Sequence, residues 1–394
     1  ALAAVGSNTA LINLIINFFI GLSVGANIIV GRCYGAKDKT TLQNVVHTAM
    51  ATSVICGLVA MLVGLFVARR ALILMSAPKE VLDLATLYLR IYFLGMPATT
   101  IYNFGAAILR AVGDSKRPLY ILAVSGIINI VLNIILVVGF NLSVMGVAIA
   151  TVISMIYSAI MVVYYLIKTE DIYKYEIKKT KIHIKTLKEM LTLGFPASIQ
   201  SCTFSFSNII IQSTINSFGA AVVSGAAAAT TIENLVTVAM DGFYHTSLAF
   251  TSQNFGAKNF QRIRKVYNRC ILFVVVVGIL VGAITIIFSK ELLSLFTATS
   301  STDVTVLPAD IIKYGQLKIN ILGGSFFIAG LMNVTVGALR GMGVSWTPML
   351  VSISGVCGIR LFWVFTVFHW LGGSLQALFI SYPITWSITF ITQF

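Results

Sequence analysis

The sequence encodes an all-α polytopic membrane protein, expected to form two six-helix lobes related by a pseudo-twofold axis, with eleven of twelve helices present. Three features predict this architecture. The 394 residues are 58% hydrophobic and only 10% charged, with a mean hydropathy of +0.93. A soluble domain carries about 25% charged residues, and a chain this apolar could not cover its surface in water. The apolar residues form long unbroken runs, each near the roughly 20 residues that cross a bilayer as a helix, whereas outer-membrane strands would leave short alternating segments. Finally, two motifs recur in the same order in the two halves.

The runs lie at 7–31, 42–68, 83–109, 118–140, 145–167, 190–217, 221–253, 268–288, 311–338, 348–368 and 373–393. Alternation puts the first, third, fifth, seventh and ninth connections on one side of the membrane. These hold nineteen of the 27 Lys and Arg residues, among them Arg32, Lys37 and Lys39, then Arg110, Lys116 and Arg117, and five from Lys258 to Arg269. The opposite side holds Arg69, Arg70, Lys79 and Lys290, while Arg90, Lys313, Lys318 and Arg360 fall within or at the ends of runs. Positive residues stay inside, so the basic side is cytoplasmic. This bias accounts for most of the net charge of +14, and no nucleic-acid partner is needed. The five cysteines are far apart without a C-x-x-C pair, which argues against disulfides or a metal site.

The longest polar stretch, Lys168 to Glu189, lies near the middle of the chain. A shift of 221 residues aligns Thr9 with Thr230, Asn13 with Asn234, Leu14 with Leu235, Gly21 with Gly242, and Gly35-Ala36-Lys37 with Gly256-Ala257-Lys258. A shift of 230 then brings Ala107 to Gly113 onto Gly337 to Gly343, and Pro118 onto Pro348. Two matches in one order indicate duplication. The lobes are expected at 1–168 and 190–394, joined by a cytoplasmic linker at 169–189. The counterpart of the run at 190–217 would precede Ala1, so the expectation is a 6+6 parent with one N-terminal helix missing here. Six helices per lobe give both the same orientation, a parallel repeat of the kind found in secondary transporters. Gly35 and Gly256 stand where a helix meets a basic loop, and are expected to be left-handed helix terminators beside interface lysines.

The segments GLSVGANIIVGRCYGAKD (21–38), SLAFTSQNFGAKN (247–259), AILRAVGDSKRP (107–118) and GALRGMGVSWTP (337–348) resemble the MATE (multidrug and toxic compound extrusion) family, in its bacterial, Firmicute-like branch. The resemblance covers essentially the whole chain. It implies a twelve-helix monomer in the bacterial plasma (inner) membrane that rocks between outward- and inward-facing states. Such a protein exports cationic or amphipathic organic compounds in exchange for H+ or Na+, without a cofactor. Its partners are a small organic substrate and membrane lipids.

Only Glu233 and Asp241 among the 13 acids lie well inside a run. Arg360 is the matching base, twelve residues beyond Pro348, or about 18 Å at 1.5 Å per residue. Buried charges face the bundle interior and carry function by default. Glu233 and Arg360 are expected to pair, either as an ion-pair gate or as a static strut between two helices. Asp241, alone in sequence, is the candidate proton or cation residue of the C-terminal lobe, or else a carboxylate capped by hydroxyls. The acids best known in some relatives are not matched, since Phe204 and Ala329 stand near those positions.

Asn129 and Asn133 are four residues apart on one helical face. The resemblance implies that they join Thr151 in an N-lobe cation or proton cluster, the alternative being helix-to-helix hydrogen bonding. Gln200 and Asn208 are polar candidates for a cavity lining, and Tyr102 and Trp363 are aromatic ones able to stack on a cation. No G-x-x-x-x-G-K-[ST] loop is present to bind ATP. Two other functions compete: a lipid-linked oligosaccharide flippase, which would need several cations lining its cavity, and a membrane-embedded enzyme. The four dispersed histidines (His47, His183, His245 and His369) make no catalytic cluster.

Overall fold

The computed structural model describes residues 2–74, 82–297 and 307–394, with side chains described for 11–73, 82–295 and 307–394. Lys79 lies outside the described residues, as does the side chain of Thr9. Helices α1 (Leu2–Gly35) and α2 (Lys39–Leu74) are followed by α3 (Leu82–Leu94), α4 (Met96–Ala111), α5 (Lys116–Asn133) and α6 (Ser143–Lys168). Then come α7 (Ile184–Asn216), α8 (Ala220–Gly256), α9 (Phe260–Ile287), α10 (Ser289–Thr297), α11 (Pro308–Gly323) and α12 (Phe326–Gly341). The chain closes with α13 (Trp346–Ser352), the short α14 (Ile359–Phe362) and α15 (Phe368–Trp370), and α16 (Leu375–Gln393). No strand occurs among the described residues.

Eight helices among the described residues are long and apolar enough to cross a membrane, or nine if the bent pair α11 and α12 counts as one span. Several expected runs are interrupted. The run at 83–109 breaks at Gly95 into α3 and α4, because Pro97 in the first turn of α4 has no N–H to continue the ladder. The run at 311–338 bends by 49° between α11 and α12. The run at 190–217 lies inside the longer α7, which carries Pro196. Three segments widen to π-helix: Ile134–Gly139 after α5, and Ile353–Gly358 and Trp363–Val367 on either side of α14.

Packing divides the chain into two compact units, Ala1–Cys202 with Ser252–Lys258, and Thr203–Thr251 with Asn259–Phe394. In the first unit, α4 lies against α1, α2 and α6, and α5 lies against α6. Buried polar side chains tie these helices: Asn27 Nδ2 donates to the Ala107 carbonyl at 2.8 Å, and Thr100 Oγ1 to the Ser53 carbonyl at 2.8 Å. In the second unit, α12 packs on α9 and α16, and α11 packs on α9, α10 and α16. One of its cores joins Ile211, Ile215, Leu322, Phe326, Val364 and Phe379. The exterior is apolar. Phe66 is 79% exposed, and α5 presents Leu119, Leu122, Ile127 and Ile130 outward, a surface that hydrocarbon solvates and water does not.

The duplicated motifs form duplicated turns. After α4, the Gly113 N–H bonds the Arg110 carbonyl and the Asp114 N–H bonds the Leu109 carbonyl. After α12, the same bonds run from Gly343 to Arg340 and from Val344 to Leu339. Gly113 and Gly343 have φ of +96° and +85°, as the helix-ending turn with crossed hydrogen bonds requires. The other pair corrects an expectation. Gly35 and Gly256 are the last helical residues of α1 and α8, and the left-handed positions belong to Lys37 (φ 58°) and Lys258 (φ 56°).

Gly35 and Gly256 serve close approach instead. A Cβ at Gly35 would land on the Gln253 carbonyl, and one at Gly256 on the Arg32 carbonyl. The 221-residue shift exchanges these two contacts. Gly256→Ala is therefore expected to cost about 1–3 kcal/mol through overpacking. Gly242→Ala, with nothing within 4 Å of its Cβ, is not. Thermal unfolding in detergent checks this, and equal midpoints for the two variants would contradict the close-approach role.

The segment at 169–183 is docked, not loose. Tyr173 and Tyr175 are buried, the Glu176 N–H donates to His47 Nε2 at 3.3 Å, and the His183 N–H donates to Thr48 Oγ1 at 3.1 Å. The Lys179 ammonium, 2.8 Å from Glu176, holds that carboxyl below its ordinary range.

Candidate functional site

In the second unit the interior charges are placed by small residues. A Cβ on Gly225 of α8 would stand 2.6 Å from the Ile311 carbonyl and 2.9 Å from the Gly315 N of α11, so the two backbones touch there. One turn beyond Gly315 comes Lys318, and one to two turns beyond Gly225 come Thr230 and Glu233. The contact brings these three together. Lys318 Nζ lies 3.2 Å from Glu233 Oε1 and donates to Thr230 Oγ1 at 2.7 Å. Thr230 in turn donates to the Ala226 carbonyl. Lys318 is only 3% exposed, and its Nζ stands 5.9 Å from the Phe379 ring centroid.

This corrects the expected Glu233–Arg360 pair. Glu233 faces α11, and its partner is Lys318. Arg360, on α14, instead donates from Nη2 to Thr385 Oγ1 at 3.0 Å and sits 4.1 Å over the Tyr382 ring of α16. Lys318 is the functional candidate that sequence reasoning missed. Its position inside the run at 311–338 was the available signal. Asp241 lies two turns past Glu233 on α8, partly buried, with no hydrogen-bond or ion-pair partner among the described residues. Its neighbour Tyr244 accepts from Arg340 Nη1 at 2.9 Å.

In the first unit the expected polar cluster comes together. Asn133 Nδ2 donates to Asn129 Oδ1 at 3.0 Å, and Asn129 Nδ2 reaches Thr151 Oγ1 at 3.4 Å and Ser154 Oγ at 3.5 Å. Ser125 Oγ donates to the Ser154 carbonyl at 2.8 Å, and Tyr88 shares a hydrogen bond with Thr151. Ser125, Ser154 and Tyr88 escaped the sequence reading because isolated hydroxyls carry no spacing signal. Asn133 Oδ1 is buried without a hydrogen-bond partner, and α5 widens to π-helix immediately after it, as helices often do at functional sites. The cluster offers amide and hydroxyl oxygens, the donor set of a hard cation, but no charge of its own.

The four cavity-lining candidates divide between the units. Tyr102 is buried and donates to the Pro118 carbonyl at 3.2 Å, and Gln200 is buried in the same unit. In the other unit, Asn208 is exposed, while Trp363 donates from Nε1 to the Ala377 carbonyl at 2.9 Å.

Comparison with known proteins agrees with the repeat motifs. The MatE family model matches residues 1–135 and 196–366. The chain is 29% identical over 399 residues to the probable multidrug resistance protein YoeA of Bacillus subtilis, covering 99% of this chain and 84% of that protein. It is 24% identical over 358 residues to the multidrug export protein MepA of Staphylococcus aureus, covering 91% and 77%. Among solved structures, the fold matches an outward-facing multidrug resistance MATE family transporter of the MOP superfamily with a TM-score of 0.92. That match has 23% identity and covers 100% of this chain and 86% of the other. A MOP superfamily transporter from Pyrococcus furiosus, described as having a binding pocket of reverse polarity, matches with a TM-score of 0.92 at 24% identity, with the same coverage. MATE proteins are multi-pass membrane transporters of small organic compounds and not enzymes. With its family model matched across most of both halves, and its fold shared with solved members, this chain belongs to the MatE family of multidrug efflux transporters.

Proposed function

We propose that the protein is a secondary active antiporter, exporting cationic or amphipathic organic compounds in exchange for H+ or Na+. It would work by alternating access, as a monomer among the lipids of a bacterial plasma membrane. The observation that carries this reading is the buried Lys318–Glu233 pair, whose partners sit on separate helices. One carboxylate can serve one cation at a time. A proton or Na+ arriving at Glu233 displaces the Lys318 ammonium, and the freed lysine favours a different arrangement of α8 and α11. A ligand that binds one state better than another shifts the balance between them. Asp241 is the second carboxylate able to take a proton or cation. Asn129, Asn133 and Thr151 are the uncharged N-terminal oxygens able to take part.

The names of the relatives, a multidrug resistance protein and a multidrug export protein, support the cargo class. A lipid-linked oligosaccharide flippase would need several uncompensated cations. Glu233 neutralises Lys318, and Arg340 is held by Tyr244 at the end of α12, which leaves Arg360 deep in the bundle and disfavours that alternative. The test is ethidium efflux from vesicles holding the purified protein under an imposed pH or sodium gradient. Efflux accelerated by one of the gradients is expected, and efflux indifferent to both would overturn the antiporter.

A further inference from the structure

Among the described residues the second unit buries three cations: Lys318, Arg360 and, in the last turn of α12, Arg340, which donates to Tyr244. Glu233 answers Lys318. Arg360 is 3% exposed, and no carboxylate among the described residues lies within ion-pair distance of it. The ionisable groups that face it are Tyr382 and Cys357. Its one hydrogen bond goes to Thr385, and its Nε is buried with no partner. A guanidinium keeps its proton throughout the physiological range, so the charge cannot be shed. Burying such a charge is costly, and a hydroxyl and a ring face return only part of the cost. An anion would complete the arrangement.

The surroundings suit an organic one. Arg360 offers a planar fork of donors that matches carboxylate, sulfonate or phosphate. Tyr382 forms an aromatic wall beside it, packed edge-on against Trp386 at 5.8 Å between centroids. The π-helical segments Ile353–Gly358 and Trp363–Val367 flank the arginine on both sides, and π-helical turns recur at functional sites. We propose that Arg360 binds the anionic group of an amphipathic substrate and so decides how strongly substrates that carry one are held. This rests on the exporter reading above, to which it adds a specificity-determining residue.

The methyl ester and the free acid of one rhodamine dye differ only in a carboxylate, and their binding to the purified protein in neutral detergent can be followed by fluorescence polarisation. The wild type is expected to bind the acid, and Arg360→Gln to lower the acid-to-ester affinity ratio by about 10- to 100-fold. Arg360→Lys, which keeps the charge and loses the fork, should fall between. If Arg360→Gln does not fold, Arg360→Lys and Thr385→Val carry the test through the same ratio. An unchanged ratio in folded variants overturns the proposal. A wild type that binds the ester and rejects the acid overturns it while leaving the exporter standing, and binding of neither dye overturns both. Displacement of the acid by phosphatidylglycerol but not by phosphatidylcholine would also overturn it, by assigning Arg360 to a lipid headgroup.

Discussion

Lys318→Met is expected to abolish gradient-driven efflux and to destabilise the protein by about 3–5 kcal/mol, the cost of leaving a buried carboxylate without its partner. Glu233 and Lys318 face each other at 3.2 Å in a nearly sealed site, so neither charge finds water when the other is removed. Lys318→Met combined with Glu233→Gln removes both charges at once, and a well-packed neutral replacement of a buried pair is often harmless to stability. The double variant should therefore recover its thermal midpoint but not its efflux. Recovery of both would make the pair a static strut between α8 and α11. Recovery of neither would mean that the two side chains hold the helices by shape.

Asp241→Asn is expected to separate the same two properties with a single substitution. Asp241 has no hydrogen-bond or ion-pair partner among the described residues, so the isosteric amide breaks no contact, and a change of this kind stays within about 0.5 kcal/mol. Efflux driven by an imposed gradient should nonetheless fall to the leak rate of protein-free vesicles, because the amide takes up no proton and brings no negative charge to a cation. Unfolding scans and ethidium efflux on the same preparation check both halves. Full efflux from a normally stable Asp241→Asn would remove this residue from the coupling machinery.

The architecture was legible because a membrane helix announces itself by composition alone, and because the two motif pairs sit at helix ends, where loop length and turn chemistry are constrained. Asn129 and Asn133 could be read as one face because their spacing of four does not depend on any other helix. The partner of Glu233 could not. A helix that is apolar all round has no stripe to reveal its rotation about its own axis. Whether Glu233 meets Arg360 or Lys318 is decided by the Gly225–Gly315 contact between α8 and α11. The glycines of the repeat were found, but their task was not. A glycine chosen for close approach looks the same in sequence as one chosen for positive φ, and here Lys37 and Lys258 carry the positive φ. The docking of 169–183 was hidden for a related reason. Its polar composition reads as a linker, while its anchoring depends on Tyr173, Tyr175 and the distant His47.

Antiport makes a prediction that a passive pore or an uncoupled carrier does not. Ethidium added to one side of protein-containing vesicles, with no gradient imposed beforehand, should drive H+ or Na+ in the opposite direction. A pH-sensitive or sodium-sensitive dye trapped inside would report that flux. The flux should be absent from protein-free vesicles and from the Lys318→Met, Glu233→Gln double variant. Ethidium crossing the membrane with no counterflow of either ion would contradict ion-coupled export by this protein.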